Sequence, residues 1–152
     1  MKKAIIFGGF LGSGKTTFIL QLARHITSKL GTDKNNVVII ENEIGEIGVD
    51  DLILGSDGMQ VKNLFAGCAC CSMAGETEYV VKKIIEDMDP EYIILEATGL
   101  AYPKNIKDNL TENPGIDCEI LCLADASRWL RLVIPMENLL STQLEGAYHV
   151  IL

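Results

Sequence analysis

No stretch of this 152-residue sequence reaches the ~18 consecutive apolar residues that a membrane-crossing helix requires, and none is expected to form one. Met1-Lys2-Lys3 followed by Ala4-Ile5-Ile6-Phe7 imitates the start of a secretory leader. The apolar run then breaks at Gly8-Gly9, and Lys15 follows with no cleavage site, so the expected location is cytoplasmic. Positive charge is also scarce: 13 Lys and Arg against 21 Asp and Glu leave a net charge of −8, which argues against a nucleic-acid partner or an anionic membrane surface. Histidine is limited to His25 and His149. There is no internal repeat, low-complexity tract or linker, and with 48% apolar residues the chain has the material for one domain with a core.

Against these absences stands a glycine-rich N-terminal segment. Gly9-Phe10-Leu11-Gly12-Ser13-Gly14-Lys15-Thr16 fits G-x-x-x-x-G-K-[ST], and its setting makes the match specific. The apolar run from Ala4 to Phe7 suits a buried strand, and Lys15 to Leu30 reads as a helix with Phe18, Leu22, Ile26 and Leu30 four apart. Gly8, Gly9, Gly12 and Gly14 let the backbone curl so that N–H groups converge on phosphate oxygens at a helix N-terminus. Lys15 then reaches the β- and γ-phosphates, and the Thr16 hydroxyl serves Mg²⁺. The plainer alternative is a glycine-rich turn before a helix.

Strands and helices alternate along the rest of the chain. Residues 36–40, 60–65, 91–95, 117–124 and 147–152 read as strands, and 77–88 and 136–144 as helices. The expected fold is an α/β P-loop NTPase: a mainly parallel sheet with helices on both faces and ligands at the carboxyl ends of the strands. Cys118 and Cys122 share one face of an apolar strand and are expected in the core.

Two acidic segments follow strands. Glu96-Ala97-Thr98-Gly99 comes after Tyr92-Ile93-Ile94-Leu95, where a second Mg²⁺-site residue of a P-loop NTPase is expected; Glu96 suits that role, and the Gly99 N–H suits contact with a γ-phosphate. A glutamate closing a strand is the simpler account. Residues 41–51 concentrate five acids with two glycines, the composition of a mobile loop that closes on a cation, with Asp50 and Glu43 as candidates. Solvated acids explain most of that charge equally well.

The chain holds five cysteines, three of them in Cys68-Ala69-Cys70-Cys71. An odd count with such crowding in a reducing compartment points to metal binding or redox chemistry rather than a disulfide framework. Three thiolates suit Zn²⁺, Co²⁺ or Cu⁺, with a fourth ligand from a carboxylate such as Glu41 or Glu43, a water or a partner. A redox pair and buried inert thiols are the alternatives.

Four blocks in order, Gly8 to Thr17, Glu41 to Asp50, Gly67 to Cys71 and Glu96 to Pro103, resemble the CobW/HypB/UreG family of P-loop GTPases, its CobW-like branch above all. The resemblance implies a GTP-dependent metallochaperone or metal-insertion protein serving zinc, cobalt or nickel clients. By that resemblance Gly9, Gly12, Ser13, Gly14, Lys15, Thr16 and Thr17 bind the phosphates of GTP or GDP. Thr16 and Glu96 hold Mg²⁺ and Asp50 lies in the first switch. Cys68, Cys70 and Cys71 bind the transported Zn²⁺, Co²⁺ or Ni²⁺, with Glu41 as a further candidate. Glu43 and Glu46 are candidates for orienting the attacking water, with Lys15 as the charge that assists transfer.

The family's Asn-Lys-x-Asp guanine motif is absent; Asn105-Ile106-Lys107-Asp108 has the letters in another order. The family's carboxy-terminal domain is absent too. The expectation is therefore a single P-loop GTPase domain over residues 1–152, truncated at its carboxy end, with relaxed base specificity as the alternative. Expected partners are the nucleotide and a client metalloprotein or cofactor-assembly protein. A homodimer is implied by the family, and the apolar stretch Leu132, Val133, Ile134, Met136, Leu139 and Leu140 suits either a subunit contact or the core. The competing readings of function are a P-loop small-molecule kinase and a non-hydrolysing, nucleotide-regulated metal or redox sensor.

Overall fold

The runs at residues 4–7, 37–40 and 92–95 are apolar at consecutive rather than alternate positions, the pattern of strands covered on both faces. A computed structural model describes residues 1–30, 37–41, 60–63 and 73–152. In it the elements run β1 (Lys2–Gly8), α1 (Lys15–Leu30), β2 (Val37–Glu41), β3 (Gln60–Asn63), α2 (Met73–Met88), β4 (Tyr92–Glu96), α3 (Pro103–Thr111), β5 (Ile116–Leu123), α4 (Trp129–Leu132), α5 (Glu137–Leu144) and β6 (His149–Ile151). The described strands form one six-stranded sheet in the order β3-β2-β4-β1-β5-β6, and every pairing is parallel.

Successive side chains of each strand go to opposite faces. Ala4 and Ile6, Val38 and Ile40, Ile93 and Leu95, and Cys118, Ile120 and Cys122 build one core with side chains of α2, α3 and α5. Phe7, Val37, Ile39, Ile94 and Leu123 build the other against α1. Helices therefore cover both faces, as the alternation of elements predicts. Cys118 and Cys122 are buried within the first core, also as expected.

Three differences from the sequence reading have physical causes. The row of α1 that faces the sheet is Lys15, Ile19, Ala23 and Thr27, whereas Phe18, Leu22 and Ile26 flank it half-buried. Small Ala23 lets the helix lie close to the sheet, and the larger side chains fill its flanks. Helix α3 was not anticipated: its apolar content is low, but Pro103 at its first position, with φ already fixed for a helix, is the usable start signal. The four-residue α4 is too short to show a period. In the stretch around Pro135, Leu140 is buried whereas Ile134 is exposed. Among the described residues no helix is long and apolar enough to cross a membrane.

Candidate functional site

Strand β1 lies between β4 and β5, and the chain leaves it toward β2 on one side after residues 9–14, while β5 lies on the other. The strand order reverses at β1, so its carboxyl end is the crevice where an open α/β sheet binds ligands. The phosphate loop occupies that crevice. Gly9 has φ +136°, and a Cβ there would collide with the Leu123 carbonyl oxygen, so only glycine lets the loop leave β1 against β5. Gly14, at φ +88°, has no atom of the described residues within 4 Å of where a Cβ would stand. The loop closes with Ser13 N donating to Phe10 O at 3.1 Å, and α1 begins with Phe18 N donating to Gly14 O at 3.0 Å.

Lys15 is the first residue of α1 and belongs to its buried row, with 6% of its surface exposed. Its Nζ donates to Gly9 O at 2.9 Å and to Phe10 O at 3.3 Å, which stretches the side chain back along the loop. Thr16 Oγ1 donates to Glu96 Oε1 at 3.0 Å. Glu96 ends β4, level with Phe7 of β1 on one side and Glu41 of β2 on the other. The Thr16 hydroxyl at the head of α1 and the Glu96 carboxylate at the end of β4 thus meet as hard oxygen donors suited to Mg²⁺, with Glu41 closing the neighbouring strand. Ser13 Oγ is buried and has no hydrogen-bond partner among the described residues. Thr17 is exposed on the first turn of α1.

Two residues that sequence reasoning missed complete the surroundings. Arg128 Nη2 donates to Leu11 O at 2.8 Å, and its Nε donates to Asp125 Oδ2 at 2.5 Å. Asp125 also accepts from Ser127 Oγ and from the backbone N–H groups of Ser127 and Arg128. The Ser127 hydroxyl and the Arg128 guanidinium hold its carboxyl down at about 2. The second missed residue is Gln143, whose Nε2 donates to Gly99 O at 2.6 Å. An acid three residues before an arginine at a strand end was the available signal for the first; a lone Gln in an apolar helix gave none for the second.

Burial pushes the Cys118 and Cys122 thiols up to about 11, so both are inert core groups. Cys68, Cys70, Cys71, Glu43, Glu46 and Asp50 lie outside the described residues. Among the described residues no three His, Cys, Asp or Glu side chains are gathered as a metal site.

A parallel sheet with a glycine loop at its switch point, a buried loop lysine and a Thr–Glu pair at the helix head defines a P-loop nucleotide-binding domain. Residues 3–152 match the nucleotide-binding domain of the CobW/HypB/UreG family, and the chain belongs to that family. Among similar proteins, the zinc chaperone YeiR of Escherichia coli is 35% identical over 130 residues, covering 82% of this chain and 38% of that protein. The zinc chaperone YjiA of the same organism is 36% identical over 119 residues, covering 75% of this chain and 34% of that protein. The zinc-regulated GTPase metalloprotein activator 1 of Saccharomyces cerevisiae is 32% identical over 126 residues, covering 76% and 27%. The chain thus spans well under half the length of these relatives. The crystal structure of Zn(II)-bound YjiA GTPase from E. coli superposes with a TM-score of 0.61 at 21% identity, over 98% of this chain and 48% of that one, and shares its fold.

Proposed function

We propose that this chain is the nucleotide-binding part of a GTP-hydrolysing metallochaperone that couples Mg²⁺-GTP binding and hydrolysis to binding and delivery of a transition metal, zinc foremost and cobalt or nickel by the same thiolate chemistry. The observation that carries the nucleotide half is the Thr16–Glu96 hydrogen bond at the head of α1, beside the buried Lys15. Relatives named as zinc chaperones and as a zinc-regulated GTPase support the metal half.

In this reading the N–H groups of Gly9, Gly12, Ser13 and Gly14, with Thr16 and Thr17 at the helix start, hold the β-phosphate and orient the nucleotide. Lys15 reaches the β- and γ-phosphates and stabilises charge on the transferred group. Thr16 and Glu96, with Asp50, would hold Mg²⁺, which when bound would supply charge neutralisation for the phosphates. Glu43 orients the attacking water, and the Gly99 N–H contacts the γ-phosphate.

Cys68, Cys70 and Cys71, with Glu41, take the metal as cargo. Glu41 and Glu96 are register partners on adjacent strands, so a ligand of the cargo metal and a ligand of Mg²⁺ stand roughly 5 Å apart by strand spacing. Hydrolysis at one alters the geometry at the other. Delivery goes to a client metalloprotein or cofactor-assembly protein, in the cytoplasm, and pairing of two chains across the nucleotide is part of this reading.

The test is phosphate release from Mg²⁺-GTP, without an acceptor, at graded free Zn²⁺. Expected is release that Lys15→Ala abolishes and that responds to Zn²⁺ only while Cys68, Cys70 and Cys71 are intact. Transfer to an acceptor with no release to water would instead make the protein a kinase. Nucleotide binding without turnover would make it a sensor.

A further inference from the structure

Gln143 is a buried polar residue in an apolar setting. It is 2% exposed, on α5, and shares a small cavity with Gly9, Phe10, Leu123, Leu140 and Leu144. Its Nε2 donates to Gly99 O at 2.6 Å across 44 residues of sequence. Because that acceptor is a carbonyl, the orientation of the amide is fixed with nitrogen toward Gly99. The amide's other end, Oε1, is buried with no hydrogen-bond partner among the described residues. A methionine or leucine would fill the same space without burying an amide, so packing alone does not account for a glutamine there. What the amide adds is the bond to Gly99.

Gly99 is held from a second side. A Cβ on it would stand 2.8 Å from Leu11 N, so its backbone is packed directly on the phosphate loop. The segment also turns through Ala101 N donating to Thr98 O at 2.9 Å. Gln143 itself is anchored, because Cys122 Sγ donates to the Gln143 carbonyl at 2.8 Å from inside β5. A continuous chain of contacts therefore runs from β5 through α5 to the segment after β4 and on to the phosphate loop.

We infer that Gln143 is a positioning residue for the γ-phosphate: by gripping the Gly99 carbonyl it fixes the backbone of residues 98–100, and so sets how strongly the domain distinguishes a nucleoside triphosphate from a diphosphate. The inference rests on the nucleotide reading above. The residue acts through Gly99 and touches no nucleotide itself. The β-phosphate is held by the loop and α1, whereas the Gln143 amide spends its hydrogen bond on Gly99, so loss of that bond falls chiefly on the triphosphate.

The test is calorimetric titration of the protein, Gln143→Met and Leu140→Ala with GDP and with a non-hydrolysable GTP analogue, plus steady-state GTP turnover. Gln143→Met keeps the volume and removes the donor. Leu140→Ala damages the same helix without touching Gly99. Expected for Gln143→Met is about tenfold weaker binding of the analogue, about 1.4 kcal/mol, with GDP affinity changed less than about twofold and kcat lowered about tenfold. Leu140→Ala is expected to lower the melting temperature and leave the ratio of the two affinities unchanged. A second variant, Gln143→Glu, presents an acceptor to the Gly99 carbonyl at neutral pH and a donor once protonated; its analogue affinity should recover as pH falls. If Gln143→Met weakens both nucleotides equally, or neither, while the unsubstituted protein turns over GTP, the positioning role is overturned and the proposed function stands. An unsubstituted protein that binds no nucleotide overturns the proposed function and this role with it.

Discussion

Arg128 reaches from the start of α4 to donate to the carbonyl of Leu11, 117 residues away, and so ties the far side of the phosphate loop to the segment after β5. Asp125 fixes the guanidinium that makes this contact. The pair stabilises the loop rather than the nucleotide's terminal phosphate. Arg128→Ala is therefore expected to weaken GDP and a GTP analogue alike, about tenfold, with Arg128→Lys losing nearly as much because a point charge lacks the fork that serves both partners. Equal losses measured by calorimetry would bear this out; a loss confined to the triphosphate would place Arg128 at the γ-phosphate instead.

The Asp125 carboxyl is depressed from 3.8 to about 2, so the pair's contribution to stability is fully present above 3.8 and is lost as pH falls through about 2. Nucleotide affinity is expected to show no titration from this pair at neutral pH. In Asp125→Asn, acid unfolding should begin at a pH no lower than in the unsubstituted protein but with the step between 3.8 and 2 missing. A stability curve measured by urea midpoint down to acid pH checks it.

The Thr16–Glu96 hydrogen bond joins the two residues proposed to hold Mg²⁺. Glu96→Gln keeps the size and the hydrogen bond and removes the charge. It should lower GTP turnover about a hundredfold while leaving Mg²⁺-free GDP binding within about twofold. If turnover survives the change, Glu96 serves the strand end and not the metal.

Gly9 and Gly14 both have positive φ but differ in what surrounds them. Gly9→Ala drives a methyl into the Leu123 carbonyl and holds a non-glycine residue in a region that costs ~1–3 kcal/mol, so the melting temperature should drop by about 2–4 °C per kcal/mol. Gly14→Ala meets nothing within 4 Å among the described residues, so the stability cost expected there is that of the left-handed backbone, ~1–2 kcal/mol. Its methyl, added to a loop whose backbone is proposed to hold the phosphates, should cost far more in nucleotide affinity. Thermal shift with and without GDP separates the two.

Cys118 and Cys122 have thiols raised from 9.0 to about 11 by burial. Folding favours the protonated form, so this contribution is complete below 9.0 and is lost as pH rises through about 11. At pH near 8 both should resist alkylation until the protein unfolds, which peptide mapping after iodoacetamide treatment reads directly. Labelling of either in the native state would mean that β5 opens.

The strand–loop–helix context of residues 4–30 and the acid closing β4 were legible from sequence, because each is a local pattern: a continuous apolar run, a glycine spacing, a helix of correct length. The buried row of α1 was read one residue off, since which of two adjacent apolar rows faces the sheet depends on how closely the helix packs. Helix α3 holds too few apolar residues, and the Asp125–Arg128 pair is too short a signal, for sequence reading to register them.

By itself the sequence determined the class of the domain, its parallel sheet and the residues of the phosphate loop, because backbone curvature at glycine, strand burial and a lysine at a helix start are dictated by neighbours in the chain. Only the tertiary structure decided that Glu96 stands against Thr16 and level with Glu41, that Arg128 grips Leu11, and that Gln143 reaches Gly99. Those pairs join residues 44 to 117 positions apart, or strands brought side by side only by the sheet order, and no local propensity encodes a hydrogen bond between groups that meet only when the sheet has closed and the helices have packed on it.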